Sequence, residues 1–484
     1  MDAEIGYEEQ LDAHVKRERA AVKLASKTGQ LLYDQGVELV LFRNHLVNLT
    51  VSEIMNLHEY AENVVKKPVD VFATSTMAEA LLSLDLAPSK LDIGRLTYEY
   101  EQEKGKYDSE ISFLKDKLND FIGQDRFKPE PRDVVLYGFG RIGRLIAREL
   151  MAKTGKGNQL RLRAIVTRGE ITQEVLEKRA SLLKNDSIHA NFNGTVQVDV
   201  ENSALIINDT TVKMISANQP EDIDYTIYGI DQALIIDNTG AFRDKEALER
   251  HLQSKGADKV LLTAPGKGIP NIVHGVNHKD YDIRENLIFS AASCTTNAIT
   301  PILKVIEDHF GLENGHLETI HAYTNDQNLV DNFHNKYRRG RAAALNMVIT
   351  ETGAGKAVAK ALPNLEGKLT SNAIRVPIPN GSLAILKLNL KTKATTNDLN
   401  SKIKDAALEG DLVEQIKYSI DNELVSTDIV GVSAPAIFDS YATITDENSN
   451  AVVLYIWYDN EFGYSHQVIR LAKYISNVRR FTYY

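Results

Sequence analysis

Cysteine is almost absent from this chain: Cys294 is the only one in 484 residues. A lone thiol excludes an intramolecular disulfide and fits a reducing compartment, so the cytoplasm is the expected location. Long apolar runs are missing too. None reaches ~18 residues, so no transmembrane helix is expected. The first residues include Asp2, Glu4, Glu8 and Glu9, unlike a signal or transit peptide. Positive charge is in deficit, with 56 Lys and Arg against 66 Asp and Glu and a net charge of −10. That disfavours general binding to nucleic acid or to an anionic membrane. Long repeats and low-complexity tracts are absent. What remains is ordinary: 43% hydrophobic and 25% charged residues match a soluble globular protein, and the length implies two or three domains.

The one thiol sits in a telling place. Leu287 to Ala292 is apolar, and a helix-like run follows from Ala298 to Phe310. Between them lies Ala292-Ser293-Cys294-Thr295-Thr296-Asn297. A cysteine between a strand end and a helix start meets backbone N–H groups and the helix dipole, which favour a thiolate. The hydroxyl neighbours argue against a purely structural, buried cysteine, whose neighbours are more often aliphatic.

Residues 1–128 read as an all-α extension with no catalytic constellation. Leu11, Val15, Val22 and Ala25 fall at helical spacings, as do Leu39, Phe42, Leu46 and Leu49. Thr50 and Glu53 form a capping box ahead of Ile54 and Leu57. Ile111, Leu114 and Leu118 share a helical face within a charged segment. Pro129 and Pro131 place a linker at Phe127 to Arg132. The extension is expected to pack on the core or on a neighbouring subunit, or to bind a regulatory partner.

A short β-rich run, Asp133 to Tyr137, leads into Gly138-Phe139-Gly140-Arg141-Ile142-Gly143-Arg144 and a helical pattern to Met151. This is G-x-G-x-x-G between a strand and a helix, the dinucleotide fingerprint. Gly138 allows the turn, Gly140 admits the pyrophosphate and Gly143 lets helix and strand pack closely. The helix N-terminus, with Ile142 in its first turn, faces the phosphates, and Arg141 is expected to contact them. The second strand, Leu160 to Val166, ends at Thr167-Arg168. An NAD site usually has Asp or Glu there for the ribose hydroxyl, whereas arginine can pair a 2′-phosphate. The cofactor is therefore NAD or NADP, with the choice open. Further strands are expected at Val196–Val200, Leu205–Ile207, Thr211–Ile215, Leu234–Asp237 and Val260–Pro265. Thr350 to Lys356 looks like a phosphate-binding loop but lacks its first glycine and its final hydroxyl residue. His274 and His278 have no acid or thiol partner at useful spacing, so no metal site is expected.

The hexapeptide around Cys294, together with His321-Ala322-Tyr323-Thr324-Asn325-Asp326-Gln327, resembles phosphorylating glyceraldehyde-3-phosphate dehydrogenase, and so does Gly138 to Arg144. The resemblance covers about residues 133 to 484. It implies a Rossmann-type doubly wound α/β cofactor domain (133–293), an α+β catalytic domain (294–460) and a C-terminal helix (461–484) returning to the cofactor domain. The implied reaction is reversible phosphorylating oxidation of D-glyceraldehyde 3-phosphate, in glycolysis or gluconeogenesis, by a homotetramer. By the resemblance Cys294 is the nucleophile and His321 its base. Ser293, Thr295, Thr352 and Gly353 hold the attacking inorganic phosphate. Thr324 and Arg375 hold the substrate's own phosphate, and Arg375 reaches both. Thr239 and Thr263 line the nicotinamide side, and Asn460 holds the carboxamide. Tyr464 packs nearby, and Asp186 to His189 is structural. An erythrose-4-phosphate dehydrogenase and a scaffold protein retaining the fold are the alternatives; Thr324 favours the three-carbon substrate. Ala298 stands where the family often has a second cysteine, Tyr137 where it has asparagine, and Gly381 where an aliphatic residue is expected.

Overall fold

The first helix carries alanine where a close helix contact needs it. The computed structural model describes residues 6–123, 130–152 and 159–484. The chain divides into two units: Met1–Pro131 with Lys153–Gln159 and Val478–Tyr484, and Arg132–Ala152 with Leu160–Asn477.

The first unit contains α1 (Tyr7–Gln30), β1 (Glu38–Leu41), β2 (Asn44–His45), α2 (Val51–Tyr60), α3 (Val71–Leu82), β3 (Ser89–Asp92), α4 (Ile93–Glu103) and α5 (Glu110–Lys117). α1 buries Ala20, Ala21, Leu24 and Thr28, a small-residue face that admits α3. The expected face was wrong: Leu11 and Val22 are exposed, at 44% and 55%. Small buried residues carry little hydrophobic signal, so the larger exposed side chains set the apparent period. α2 starts as expected. The Thr50 side chain accepts from Glu53 N at 3.3 Å and Glu53 Oε2 accepts from Thr50 N at 2.7 Å. In α5, Phe113 and Leu114 are buried, as is Leu118 just beyond it, whereas Ile111 is exposed.

The extension is mostly helical but not all-α. Gly36, at φ 74°, ends the first helical segment. Val37 to Phe42 then runs fully buried through β1. Leu39, Phe42 and Leu46 are therefore core residues of a strand and its turn, not of a helix. A short apolar run behind a glycine is a strand signal that helical spacing can imitate. β1 and β3 pair in parallel, and the sheet order is β2-β1-β3 followed by the C-terminal strand Phe481–Tyr483. The segment after Asn477 thus joins the first unit; it does not return to the cofactor domain. Phe127 and Pro129 of the expected linker lie outside the described residues; Arg132 already begins a strand.

In the second unit, β4 (Arg132–Tyr137), α6 (Arg141–Ala152), β5 (Leu160–Thr167), α7 (Gln173–Lys184), β6 (Val196–Asp199), β7 (Ala204–Ile207), β8 (Thr210–Ser216), β9 (Ala233–Asp237), α8 (Lys245–Glu249), β10 (Ala257–Leu262) and β11 (Ile288–Ser290) build an eight-stranded sheet. Its order is β11-β10-β9-β4-β5-β8-β7-β6. Pairing is parallel from β11 to β8 and antiparallel at the β8-β7-β6 edge. The central strands β4 and β9 are near-continuous apolar runs because both faces are covered. Strand order reverses around β4, and ligands bind beyond the carboxyl ends of the strands at such a switch point.

The chain continues through α9 (Cys294–His309), β12 (Leu312–Ala322), β13 (Val348–Thr350), α10 (Ala354–Ala361), β14 (Leu369–Val376), β15 (Ser382–Leu390), α11 (Thr396–Leu408), β16 (Ile416–Ser419), β17 (Ala436–Asp439), β18 (Ile444–Thr445), β19 (Ala451–Tyr458) and α12 (Phe462–Ile475). These strands form a mixed sheet in the order β13-β14-β12-β15-β19-β17-β16, with β18 on β19. α12 packs against α6 and α9. Gly381 now has a reason: its φ is +87°, and a Cβ there would sit 2.5 Å from the Ser426 carbonyl oxygen. Among the described residues, no helix is long and apolar enough to cross a membrane.

Candidate active site

Ser293 starts α9. Its side chain accepts from Thr296 N at 3.1 Å and lies 2.7 Å from Thr296 Oγ1. This cap fixes Cys294 at the first helical position, where unpaired N–H groups and the dipole gather. The backbone turns into the cap through Ala292, at φ 54°, and Tyr464 Oη donates to the Ala292 carbonyl at 2.9 Å. Cys294 is half-buried.

The base arrives on β12. Cys294 Sγ lies 3.7 Å from His321 Nε2. β12 and β14 run parallel in a register that sets His321 beside Arg375, so two residues far apart in sequence become neighbours. His321 Nδ1 is 2.7 Å from the Ala322 carbonyl oxygen and 2.5 Å from Arg375 Nη1, and Nη1 also donates to that oxygen at 2.9 Å. Nδ1 cannot donate to the carbonyl and accept from arginine at once. The tautomer that leaves Nε2 as an acceptor toward sulfur has Nδ1–H on Ala322 O. It is favoured when the guanidinium turns to an anion.

Burial pushes the Cys294 thiol up; Arg375, the Thr295 hydroxyl and nearby backbone N–H groups pull against it without prevailing. Burial, and then the Arg375 charge, hold His321 down to about 3. At neutral pH the imidazole is therefore uncharged and able to take the sulfur proton. Tyr458 is buried below this pair; its hydroxyl lies 3.0 Å from Thr295 Oγ1, and its ring meets the His321 ring edge-on at 5.9 Å.

Cys294 and His321 open into a cavity of about 910 Å³. Ser293, Thr324, Thr263, Ile142, Asn460 and Tyr464 also line it. Asn460 is oriented by Ser382, whose hydroxyl donates to Asn460 Oδ1 at 2.9 Å. On the same side, the glycine loop has the shape a dinucleotide requires. Gly138 has φ +96°, a Cβ at Gly143 would lie 2.6 Å from Gly138 O, and a Cβ at Gly140 would meet nothing within 4 Å. Thr167 Oγ1, Tyr137 Oη and Asn238 Oδ1 are buried with no partner among the described residues, as expected of groups reserved for a ligand.

Two domain models match this chain: "Glyceraldehyde 3-phosphate dehydrogenase, NAD binding domain" over residues 132–245 and "Glyceraldehyde 3-phosphate dehydrogenase, C-terminal domain" over 293–460. The chain belongs to the glyceraldehyde-3-phosphate dehydrogenase family. A "Glyceraldehyde-3-phosphate dehydrogenase-like protein" of Pseudomonas aeruginosa is 49% identical over 93% of this chain and 97% of its own length. The glyceraldehyde-3-phosphate dehydrogenase of Clostridium pasteurianum is 40% identical over 72% of this chain and 99% of its own. That of Bacillus subtilis, named glyceraldehyde-3-phosphate dehydrogenase 2, is 38% identical over 71% and 96%. This dehydrogenase is thus an NAD(P)-dependent oxidoreductase.

Other expected site residues line two further cavities or are held by protein partners. Thr352 and Gly353 precede α10 and line a cavity of about 1120 Å³ with Lys356 and with Arg339, whose charge acts on His321 and Arg375. Thr239 bonds Asp237 and lines a third cavity with Gly138, Thr167 and Arg168, which shares Gly140 with the cavity at the thiol; Thr263 lines the thiol's cavity. The Arg141 side chain is committed to Glu461 at 2.7 and 2.8 Å and to Asp186 at 3.0 and 3.2 Å. It can offer a pyrophosphate its backbone N–H, but its charge is already neutralised. Asp186 also accepts from the backbone of Ile188 and His189, and His189 reaches Asp459 at 2.8 Å. Tyr458, Arg144 and Arg179 were missed. Tyr458 is the last residue of β19, two positions before Asn460.

Proposed function

We propose that the protein catalyses the reversible phosphorylating oxidation of D-glyceraldehyde 3-phosphate to 1,3-bisphosphoglycerate. The observation that carries this reading is Cys294 Sγ at 3.7 Å from His321 Nε2, at a helix N-terminus and beside a glycine loop shaped for a dinucleotide.

His321 Nε2 takes the thiol proton as sulfur bonds to the aldehyde carbon, and the imidazolium then donates to the developing alkoxide. Substrate phosphate bound at Arg375 draws the guanidinium from Nδ1, so that Nδ1–H settles on Ala322 O and Nε2 is left basic. A nicotinamide dinucleotide held by Gly138 to Gly143, Thr263 and Asn460 supplies the hydride acceptor. Loss of hydride from the hemithioacetal carbon leaves a thioester on Cys294, its hydroxyl proton returning to His321. Inorganic phosphate then attacks the acyl carbon. The C–S bond breaks, the acyl phosphate leaves, and the sulfur departs as thiolate, stabilised by the helix N-terminus and the imidazolium. Ser293 and Thr295, which flank Cys294 in sequence, and Arg375, which the strand register sets beside His321, are assigned as phosphate donors. Hydroxyls and backbone N–H groups hold an anion without a fixed charge, which suits release. Exposed Leu329, Val330, Phe333 and Tyr337 support self-association of the segment 324–341, and a tetramer is the assembly the resemblance implies.

The test is reduction of NAD or NADP by the full chain with glyceraldehyde 3-phosphate, with and without phosphate. Turnover is expected to need phosphate and to vanish on alkylation of Cys294. Turnover that ignores phosphate, or survives alkylation, refutes the reading.

A further inference from the structure

Beyond the carboxyl ends of β4 and β5 lies a cavity of about 380 Å³. It continues from the glycine loop, since Gly138, Phe139 and Gly140 form part of its wall. Three arginines line it: Arg144 from α6, Arg168 after β5 and Arg179 from α7. Among the described residues, no Asp or Glu does. Thr167 occupies the β5 end, where a carboxylate would bind both hydroxyls of an unphosphorylated adenosine ribose.

The guanidinium groups have little to do within the protein. Arg168 is exposed and makes no ion pair with the described residues. Among the described residues, Arg144 and Arg179 each reach only the Phe139 carbonyl, at 3.5 Å, the outer limit of a hydrogen bond. Burial holds the Arg144 guanidinium down, and the charges of Arg141 and Arg179 add to that, with Asp186 opposing. The cavity also presents two buried hydroxyls with no partner among the described residues, Thr167 Oγ1 and Tyr137 Oη; these residues are 7% and 4% exposed. A neutral ribose hydroxyl needs one acceptor. A pocket with three unneutralised guanidinium groups and no acceptor carboxylate suits a dianion.

We propose that this site selects the 2′-phosphorylated dinucleotide, NADP, over NAD, with Arg168 and Arg179 as the principal 2′-phosphate donors and Thr167 supplying a hydroxyl. The assignment rests on the dehydrogenase reading only for its catalytic readout, because binding can be measured without turnover.

Two measurements on the full chain test it. Calorimetric titration compares adenosine 2′,5′-bisphosphate with adenosine 5′-monophosphate, and initial rates compare NADP with NAD. Roughly tenfold or more in favour of the 2′-phosphate is expected in both, the value of one charged hydrogen-bonding contact. R168A with R179A should lower the NADP/NAD ratio of kcat/KM by roughly tenfold or more. T167D should invert it, because a carboxylate repels the phosphate and accepts from the ribose hydroxyls. Since Arg168 is exposed, R168A alone serves as the variant whose folding is not in question. Equal or weaker binding of the 2′-phosphate, or a higher kcat/KM for NAD, overturns the proposal. If 2′,5′-bisphosphate binds selectively and neither cofactor is reduced, the site stands and the dehydrogenase reading falls.

Discussion

Replacing His321 by Gln removes the nitrogen 3.7 Å from the sulfur while keeping a side chain of similar reach. The thiol then has to ionise without help. An ordinary cysteine, with a pKa of about 8.5, is about 3% thiolate at pH 7. Cys294 is pushed above its ordinary value by burial, so its thiolate fraction is smaller still. Loss of the base should therefore slow thiol attack by at least about 30-fold, within or just below the ~10²–10⁴-fold usual for a general base. The step is read without phosphate, as the rate of the burst of reduced cofactor equal to the enzyme present. The variant's burst rate should climb with pH through the alkaline range, because it follows the thiolate. The parent should lack a limb near pH 6.5, because burial and Arg375 hold His321 down to about 3 and it stays an uncharged base above that. A burst slowed less than about tenfold, or one whose pH profile is unchanged, would show that His321 does not deprotonate the sulfur.

Gly381→Val places a Cβ 2.5 Å from the Ser426 carbonyl at φ +87°; it should cost at least about 1–2 kcal/mol, seen as a lower midpoint in denaturant. Asp186 is opposed by burial but is held down to about 2 by the His189 and Ile188 N–H groups and by Arg141. Its stabilisation is complete above the ordinary carboxylate range and is lost as pH falls from about 4 toward 2; D186N should flatten that part of an acid-unfolding curve and not the rest. Removing residues 478–484 takes away the strand beside β3, the Tyr483–Glu99 bond of 2.5 Å and the Arg480–Glu38 pair at 3.6 Å. Limited proteolysis within residues 7–123 should then accelerate while thioester formation at Cys294 persists; unchanged cleavage would show that the strand adds nothing.

The cofactor and catalytic sheets were legible because their signals are local. Gly138 to Gly143 declares a turn, a phosphate approach and a helix start within six positions, and the run into Cys294 does the same for a strand, a cap and a helix. The register that joins His321 to Arg375 is not local, and only the resemblance brought those two together. In the extension, Val37 to Phe42 was misread because apolar residues three and four apart also occur within a buried strand and turn. The face of α1 escaped because alanine buries little area. The third cavity shows a further limit. Thr167 and Arg168 marked it in sequence, but Arg144 and Arg179 come from two helices whose crossing places them there. Thr352 and Gly353 share a cavity with Arg339, whose charge is felt at His321 and Arg375, a grouping that no local pattern announces.

The pairing of Phe481–Tyr483 with β3 also orders events during synthesis on the ribosome. β1 and β3 emerge early, yet the strand that covers β3 is translated only after both larger sheets. Until then the nascent first unit presents an open β edge, the kind of edge that invites pairing with another chain. Completion of the first unit's sheet therefore waits for a strand that is translated after both larger sheets, so its closure is late although most of its residues are early.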